Sequence, residues 1–263
     1  MTGGPDQRLT RLEVAAYGIA GLLLFLGIWS ALSWSGAVPR QFLPTPYDVA
    51  SRFVQLLSTP FAGATLQQHL ASSVMRFAYG FLLGAAVGIP LGLLMGWYRA
   101  LDEIVSPVFD ALRFIAPIAW VAFAALWFGT GIGGPILIIF AGAFPPCVIN
   151  AYRGARFVSR PLIEAAQMLG TGNARIILEV LLPASTASIV AGLRVSAGLG
   201  WQSLIGAELI VASTGVGFMM VQAQLNISTA TVMSAMAAIG LVGLGIDVAL
   251  RSLEAAVRRR GFA

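Results

Sequence analysis

Residues 71–97 read ASSVMRFAYGFLLGAAVGIPLGLLMGW, a run with Arg76 as its one charge and glycines at 80, 84, 88, 92 and 96. A helix rising about 1.5 Å per residue needs roughly 20 apolar residues to cross about 30 Å of hydrocarbon, and this run exceeds that. A glycine every fourth residue leaves one face of such a helix smooth, so that a second helix can approach closely. Pro90 removes a backbone donor, which a bilayer tolerates where neighbouring groups compensate.

Five further runs have the same character, at 14–35, 105–128, 134–151, 185–210 and 230–250. Hydrophobic residues make up 58% of the chain, charged residues 10%, and mean hydropathy is +0.85. Soluble domains carry about 25% charged residues, so water is excluded as the solvent of this fold. The reading is an all-α polytopic membrane protein with six transmembrane helices, one domain over 1–263. Arg8 and Arg11 before the first run resemble the start of a signal peptide, but its apolar core is longer than the usual 7–15 residues and reads as a retained anchor. Cleavage after Ser35-Gly36-Ala37 would leave the remaining topology unchanged. Pro117 and Pro145-Pro146 also fall within predicted spans.

The formal charge is +5 and every basic residue is arginine. The arginines sit at segment ends and form no stripe with aromatics, so membrane orientation, not nucleic acid, accounts for them. Arg8, Arg11, Arg99, Arg153, Arg156, Arg160, Arg175, Arg251, Arg258, Arg259 and Arg260 alternate onto one side. The positive-inside rule then makes both termini cytoplasmic. Cys147 is the only cysteine and His69 the only histidine, which excludes an internal disulfide and argues against a metal site.

Two loops are long. In the outer one, 36–70, Leu43-Pro44-Thr45-Pro46 precedes Val49, Phe53, Leu56 and Leu57, whose spacing predicts a short surface helix acting as a lid. In the inner one, 152–183, Ser159 is placed to cap a helix with Pro161 in its first turn and Leu162, Ala165, Ala166 and Leu169 on one face. Gly170 and Gly172 suit a turn, Asn173 is placed to cap a second helix, and Pro183 to close it. Arg160, Glu164 and Gln167 surround small alanines on the exposed face, where a partner could come close.

The string Glu164-Ala165-Ala166, then Gly170, Val180 and Leu182-Pro183, resembles the signature of the inner-membrane permeases of bacterial binding-protein-dependent ABC importers. Leu43-Pro44-Thr45-Pro46, Ser73 to Gly80, Gly88 to Gly92, Leu126 to Gly129, Gly192-Leu193-Arg194, Gly200-Trp201, Ala207-Glu208-Leu209 and Gly215 to Met219 are similar to the nitrate, sulfonate and taurine branch. The usual second proline after Leu182-Pro183 is replaced by Ala184 to Ala187, which puts the local kink there in question. The resemblance implies a type I importer permease (MetI-like) with a cytoplasmic coupling helix, in which Arg160, Glu164, Ala165, Ala166, Gln167, Gly170 and Thr171 meet the ATPase. It also implies a second copy of the chain, two cytoplasmic ATP-binding subunits and an extracytoplasmic substrate-binding protein. ATP and magnesium would lie on the ATPase, with no cofactor on this chain. A phosphate-binding loop needs a lysine, and there is none here.

Ionisable and polar groups inside spans are the pathway candidates: Arg113, Trp120, Arg194, Trp201, Gln202 and Glu208, with Ser203 beside them. Arg113 and Arg194 also suit pairing with a carboxylate such as Asp110 or Glu164, and Glu208 suits either a gate or the fixing of a helix end. A stand-alone secondary transporter or channel would need coupling-ion ligands or an internal repeat, and the halves do not echo each other. An enzyme would need clustered acid, base or nucleophile, which the spans lack. The resemblance implies as substrate a small anion or zwitterion such as taurine, another sulfonate or nitrate.

Overall fold

A computed structural model describes residues 10–129 and 131–259. Arg8 and Arg260, invoked for orientation, lie outside them. The helices are α1 (Arg11–Trp34), α2 (Pro46–Ser58), α3 (Leu66–Trp97), α4 (Arg99–Arg113), α5 (Val121–Phe128), α6 (Gly133–Arg156), α7 (Arg160–Met168), α8 (Asn173–Ile176), α9 (Leu182–Ile210), α10 (Val216–Leu225) and α11 (Thr229–Arg259). Among the described residues, five helices are long and apolar enough to cross a membrane, and six spans result if one bent pair is counted as a span.

That pair corrects the third predicted span. α4 is separated from a 3-10 turn (Pro117–Trp120) and α5 by an 87° bend. Pro117 disfavours helical geometry at the residue before it, and Ala116 adopts φ −56°, ψ 137°, which breaks the rod where apolar composition alone reads as continuous. A second correction concerns Pro183. α8 does not close before the fifth span but continues through a π-helical turn (Ile177–Leu181) into α9, with Pro183 tolerated in its first turn. Asn173 is the first residue of α8, and Gly172 holds the cap position assigned to it.

α3, α6 and α9 form the centre. The glycine row of α3 lies on α6: a Cβ at Gly80 would stand 2.6 Å from that of Ile139, at Gly88 2.9 Å from that of Cys147, and at Gly96 2.5 Å from that of Ala155. In lipid, apolar burial gives little drive for helix association, so this close backbone packing supplies the cohesion. Cys147 is buried there, its thiol 3.2 Å from Ser196 Oγ.

α11 covers the other side of α9, and α2 lies across the N-terminal part of α11. Arg52 Nε donates to Thr231 Oγ1 at 2.9 Å, and Ser234 Oγ to the Val49 carbonyl at 3.0 Å. The predicted α2 is thus a helix, with Val49 and Leu56 buried. Thr45 and Asp48 form a reciprocal cap at its start, and hydrogen bonds from the Thr45 hydroxyl and amide hold the Asp48 carboxyl below its ordinary range. α1 stands apart, apolar on all sides and unburied over its apolar window. Its ties to the chain are Trp29 Nε1 donating to the Pro44 carbonyl and Ser33 Oγ to the Leu43 carbonyl.

Candidate functional site

Three places carry the polar chemistry. The first is a node where α3, α9 and the start of α10 meet. His69, Ser73 and Arg76 lie three and four residues apart, on one face of α3, and all are buried. Arg76 Nη1 meets Glu208 Oε1 at 2.9 Å and the Thr214 carbonyl at 2.7 Å. Ser73 Oγ lies 2.8 Å from both Glu208 carboxylate oxygens. The first amides of α10 are then served in turn: Gly215 N–H by His69 Nδ1, Val216 N–H by Ser73 Oγ, and Gly217 N–H by Glu208 Oε2. These are the orphan donors of a helix start, paired here by side chains from two other helices. Because Nδ1 accepts, His69 carries its proton on Nε2 and donates it to the Phe61 carbonyl at 3.0 Å. Gly215 has φ +111°, and a Cβ there would drive into the Glu208 carboxylate. Glu208 therefore fixes a helix end, and it lines none of the cavities described below.

The second place is a cleft of about 500 Å³ between the α4–α5 bend, α6 and α9. Arg113, Asn150, Arg153, Gln202 and Ser203 line it, and no carboxylate does. Arg113 Nε is held by Asp110 at 2.7 Å, with its guanidinium over the Phe114 ring. Trp120 lines an adjoining cavity of about 180 Å³ together with Arg113. The structure thus gathers Arg113, Trp120 and Gln202, and separates the other pathway candidates. Arg194 turns to α11, pairing with Asp247 at 2.7 Å and Glu254 at 3.6 Å and not with Asp110 or Glu164. Trp201 is a core residue, 7% exposed, edge-on to Phe77 and donating to the Ile239 carbonyl at 3.3 Å. Asn150 and Arg153 join the cleft without having been singled out as pathway residues. Their available signal was the sequence interval from Pro146, which places all three within two turns of α6.

The third place is α7 and its turn. Arg160, Glu164, Ala165, Ala166 and Gln167 are on α7, Gly170 and Thr171 in the turn that ends it. Gly170, at φ +74°, sends its N–H to the Gln167 carbonyl, while Thr171 N–H reaches that of Ala166. That is a Schellman closure, and it needs a left-handed residue at position 170. Gly172 has ordinary φ, and Ser159 occupies the cap position without a side-chain cap bond. No residue of α7 is buried; Met168 is 90% and Leu169 85% exposed. The helix runs beside a polar groove lined by Arg99, Asp102, Arg156 and Arg160.

Residues 88–261 match the profile of the family described as binding-protein-dependent transport system inner membrane component. The chain belongs to that family. It is 41% identical over 206 residues to a putative ABC transporter permease protein of Methanocaldococcus jannaschii, covering 76% of this chain and 77% of that one. It is 32% identical over 237 residues to the taurine transport system permease protein of Escherichia coli, covering 90% and 86%. In fold it is similar to a chain of the MetNI methionine ABC transporter in an inward-facing conformation, with a TM-score of 0.57, 19% identity, and coverage of 73% and 94%. This family member is a multi-pass inner-membrane permease of the nitrate, sulfonate and taurine branch.

Proposed function

We propose that two copies of this chain form the translocation pathway of an ATP-driven importer for a small anion or zwitterion, such as taurine, another sulfonate or nitrate. In this reading six spans place both termini in the cytoplasm, α4 and α5 together making the third. A binding protein delivers substrate outside, and two ATPase subunits, which hold ATP and magnesium, dock on α7 inside. Arg160, Glu164 to Gln167, Gly170 and Thr171 are the docking surface, and Arg113, Trp120 and Gln202 border the path.

The observation that carries the reading is α7, a capped helix with an exposed apolar face and no buried residue of its own. Such a surface on an otherwise lipid-embedded chain suits a soluble partner. Closure of the ATPase pair would move α7, and the continuous α8–π–α9 rod would carry that motion to the cleft wall. Coupling then consists of one element biased from both ends. The cleft supports the choice of substrate charge, since its ionised lining is arginine alone.

The test is ATP hydrolysis by the chain reconstituted with its ATPase and a loaded binding protein. Loaded binding protein should accelerate hydrolysis, and Glu164→Ala or Gly170→Val should separate hydrolysis from uptake. Normal coupling in both variants would remove α7 from the role given to it.

A further inference from the structure

α10 and α7 end in the same way. At the end of α10 the Ile227 N–H reaches the Gln224 carbonyl at 3.0 Å and the Ser228 N–H the Ala223 carbonyl at 2.9 Å, the pair of bonds that closes α7 at Gly170 and Thr171. Such a closure needs a left-handed residue. Where α7 has glycine, α10 has isoleucine, at φ +51°. A β-branched side chain is poorly suited to that backbone, because its Cβ crowds the carbonyl that follows. Among the described residues the one other non-glycine with positive φ is Ala62, which has no side chain beyond Cβ.

No packing gain offsets this strain. Ile227 is 71% exposed, and Leu225 close by is 72% exposed. Glycine or asparagine would close the helix with less strain, so the isoleucine is not explained by the fold. Strain held in this way gathers where a side chain serves recognition.

The turn is also fixed from several directions. Asn226 Nδ2 donates to the Gln222 carbonyl at 2.7 Å, Ser228 Oγ lies 2.7 Å from Thr231 Oγ1, and Thr231 Oγ1 accepts from Arg52 of α2. Thr229 Oγ1 donates to the Gln41 carbonyl in the loop before α2. Fluid lipid gains nothing from a side chain held in one place, whereas a folded partner does, since the cost of ordering falls before contact. Residues 211–229 carry no charge that an apolar contact would have to desolvate. α10 and α11 pack on α9, α3 and α2, whereas the cleft lies between the α4–α5 bend, α6 and α9. A second copy sharing the cleft therefore adjoins the other side of the molecule, which leaves the Ile227 turn to a partner from the aqueous phase.

We propose that the Ile227 turn is a preformed contact for the extracytoplasmic substrate-binding protein, with the isoleucine entering an apolar recess on that protein. This rests on the importer reading, which puts the turn outside, and adds to it a place of docking.

The test uses the full chain with its ATPase subunits in lipid nanodiscs, and the purified substrate-binding protein of the same importer as probe. Affinity is read by biolayer interferometry and melting temperature beside it. Ile227→Gly and Ile227→Asn keep the left-handed closure without the apolar side chain. Both should melt no lower than the unaltered chain and bind the probe about tenfold more weakly. Ile227→Val keeps the apolar branch and should stay within about twofold of the unaltered affinity. Unchanged affinity in the glycine and asparagine variants would overturn the proposal. A lowered melting temperature in those variants would also overturn it, as the result expected if lipid or a second copy covers Ile227. Absence of any binding by the unaltered complex rejects the importer reading together with this one, whereas binding that ignores Ile227 rejects this inference alone.

Discussion

Arg76 and Glu208, 132 positions apart in the chain, meet at 2.9 Å with the glutamate side chain wholly enclosed. The pair joins α3 to α9, and through Gly217 N–H and the Thr214 carbonyl it holds the start of α10 against both. Glu208→Ala leaves a buried guanidinium without its counter-ion, a loss of roughly 3–5 kcal/mol. Arg76→Met alone should cost a similar amount. The double variant Arg76→Met/Glu208→Leu should lose clearly less than the sum, measured by thermal unfolding in detergent. Simple additivity would mean that the two residues act independently.

Packing of α3 on α6 predicts an order among glycine substitutions. A Cβ at Gly92 would press into the Val148 carbonyl oxygen, part of a backbone that has little room to move, whereas one at Gly84 would lie 3.3 Å from the Ala143 Cβ. Gly92→Ala should cost about 1–3 kcal/mol by overpacking, and Gly84→Ala less. Melting temperatures of the two purified variants check this, and the reverse order would contradict the packing described.

The Thr45–Asp48 cap should make the start of α2 sensitive to acid. The Asp48 carboxyl is held low by the Thr45 hydroxyl and amide, so the folded helix prefers the ionised form. Its contribution is present in full above the ordinary aspartate range, near pH 4, and is lost as pH falls through the lower folded value. Hydrogen exchange at Tyr47, Asp48 and Val49, corrected for intrinsic rate, should rise below that range, and Asp48→Asn should abolish the pH dependence.

A contrasting outcome is expected for Arg194 and Asp247. Their side chains are 35% and 33% exposed, so the pair is screened in a way the Arg76–Glu208 pair is not. Asp247→Asn should shift stability far less than Glu208→Ala does in the same unfolding assay. A loss as large as that from Glu208→Ala would place this pair deeper than its exposure indicates.

Much of this architecture can be read from residue types alone. Apolar run length finds the spans, the glycine row gives α3 its packing face, and Pro161 with Gly170 brackets α7. The bend at Ala116 was less legible because both arms are apolar, and Pro117 reads equally as a tolerated span proline until its effect on Ala116 is seen. Trp201 and the cleft side of α9 were hidden for a related reason. In lipid, core-facing and lipid-facing positions are both apolar, so periodicity does not tell them apart. The polar stripe His69, Ser73 and Arg76 was visible at helical spacing, but its partner Glu208 follows only from how α3 and α9 lie against each other.

The wide turn at Ile177–Leu181 sets a phase. A π turn holds one residue more than the α-helical count, and one residue of an α-helix corresponds to about 100° of azimuth. The wide turn therefore absorbs its surplus residue, and the bearing of α7 relative to the α9 wall is close to that of a regular rod one residue shorter. Deleting one position there would let the rod become regular with its two ends still aligned, whereas deleting one from the regular part of α9 would turn them apart by about a quarter of a revolution. Length is thus held more tightly in the regular part of the rod than in this turn.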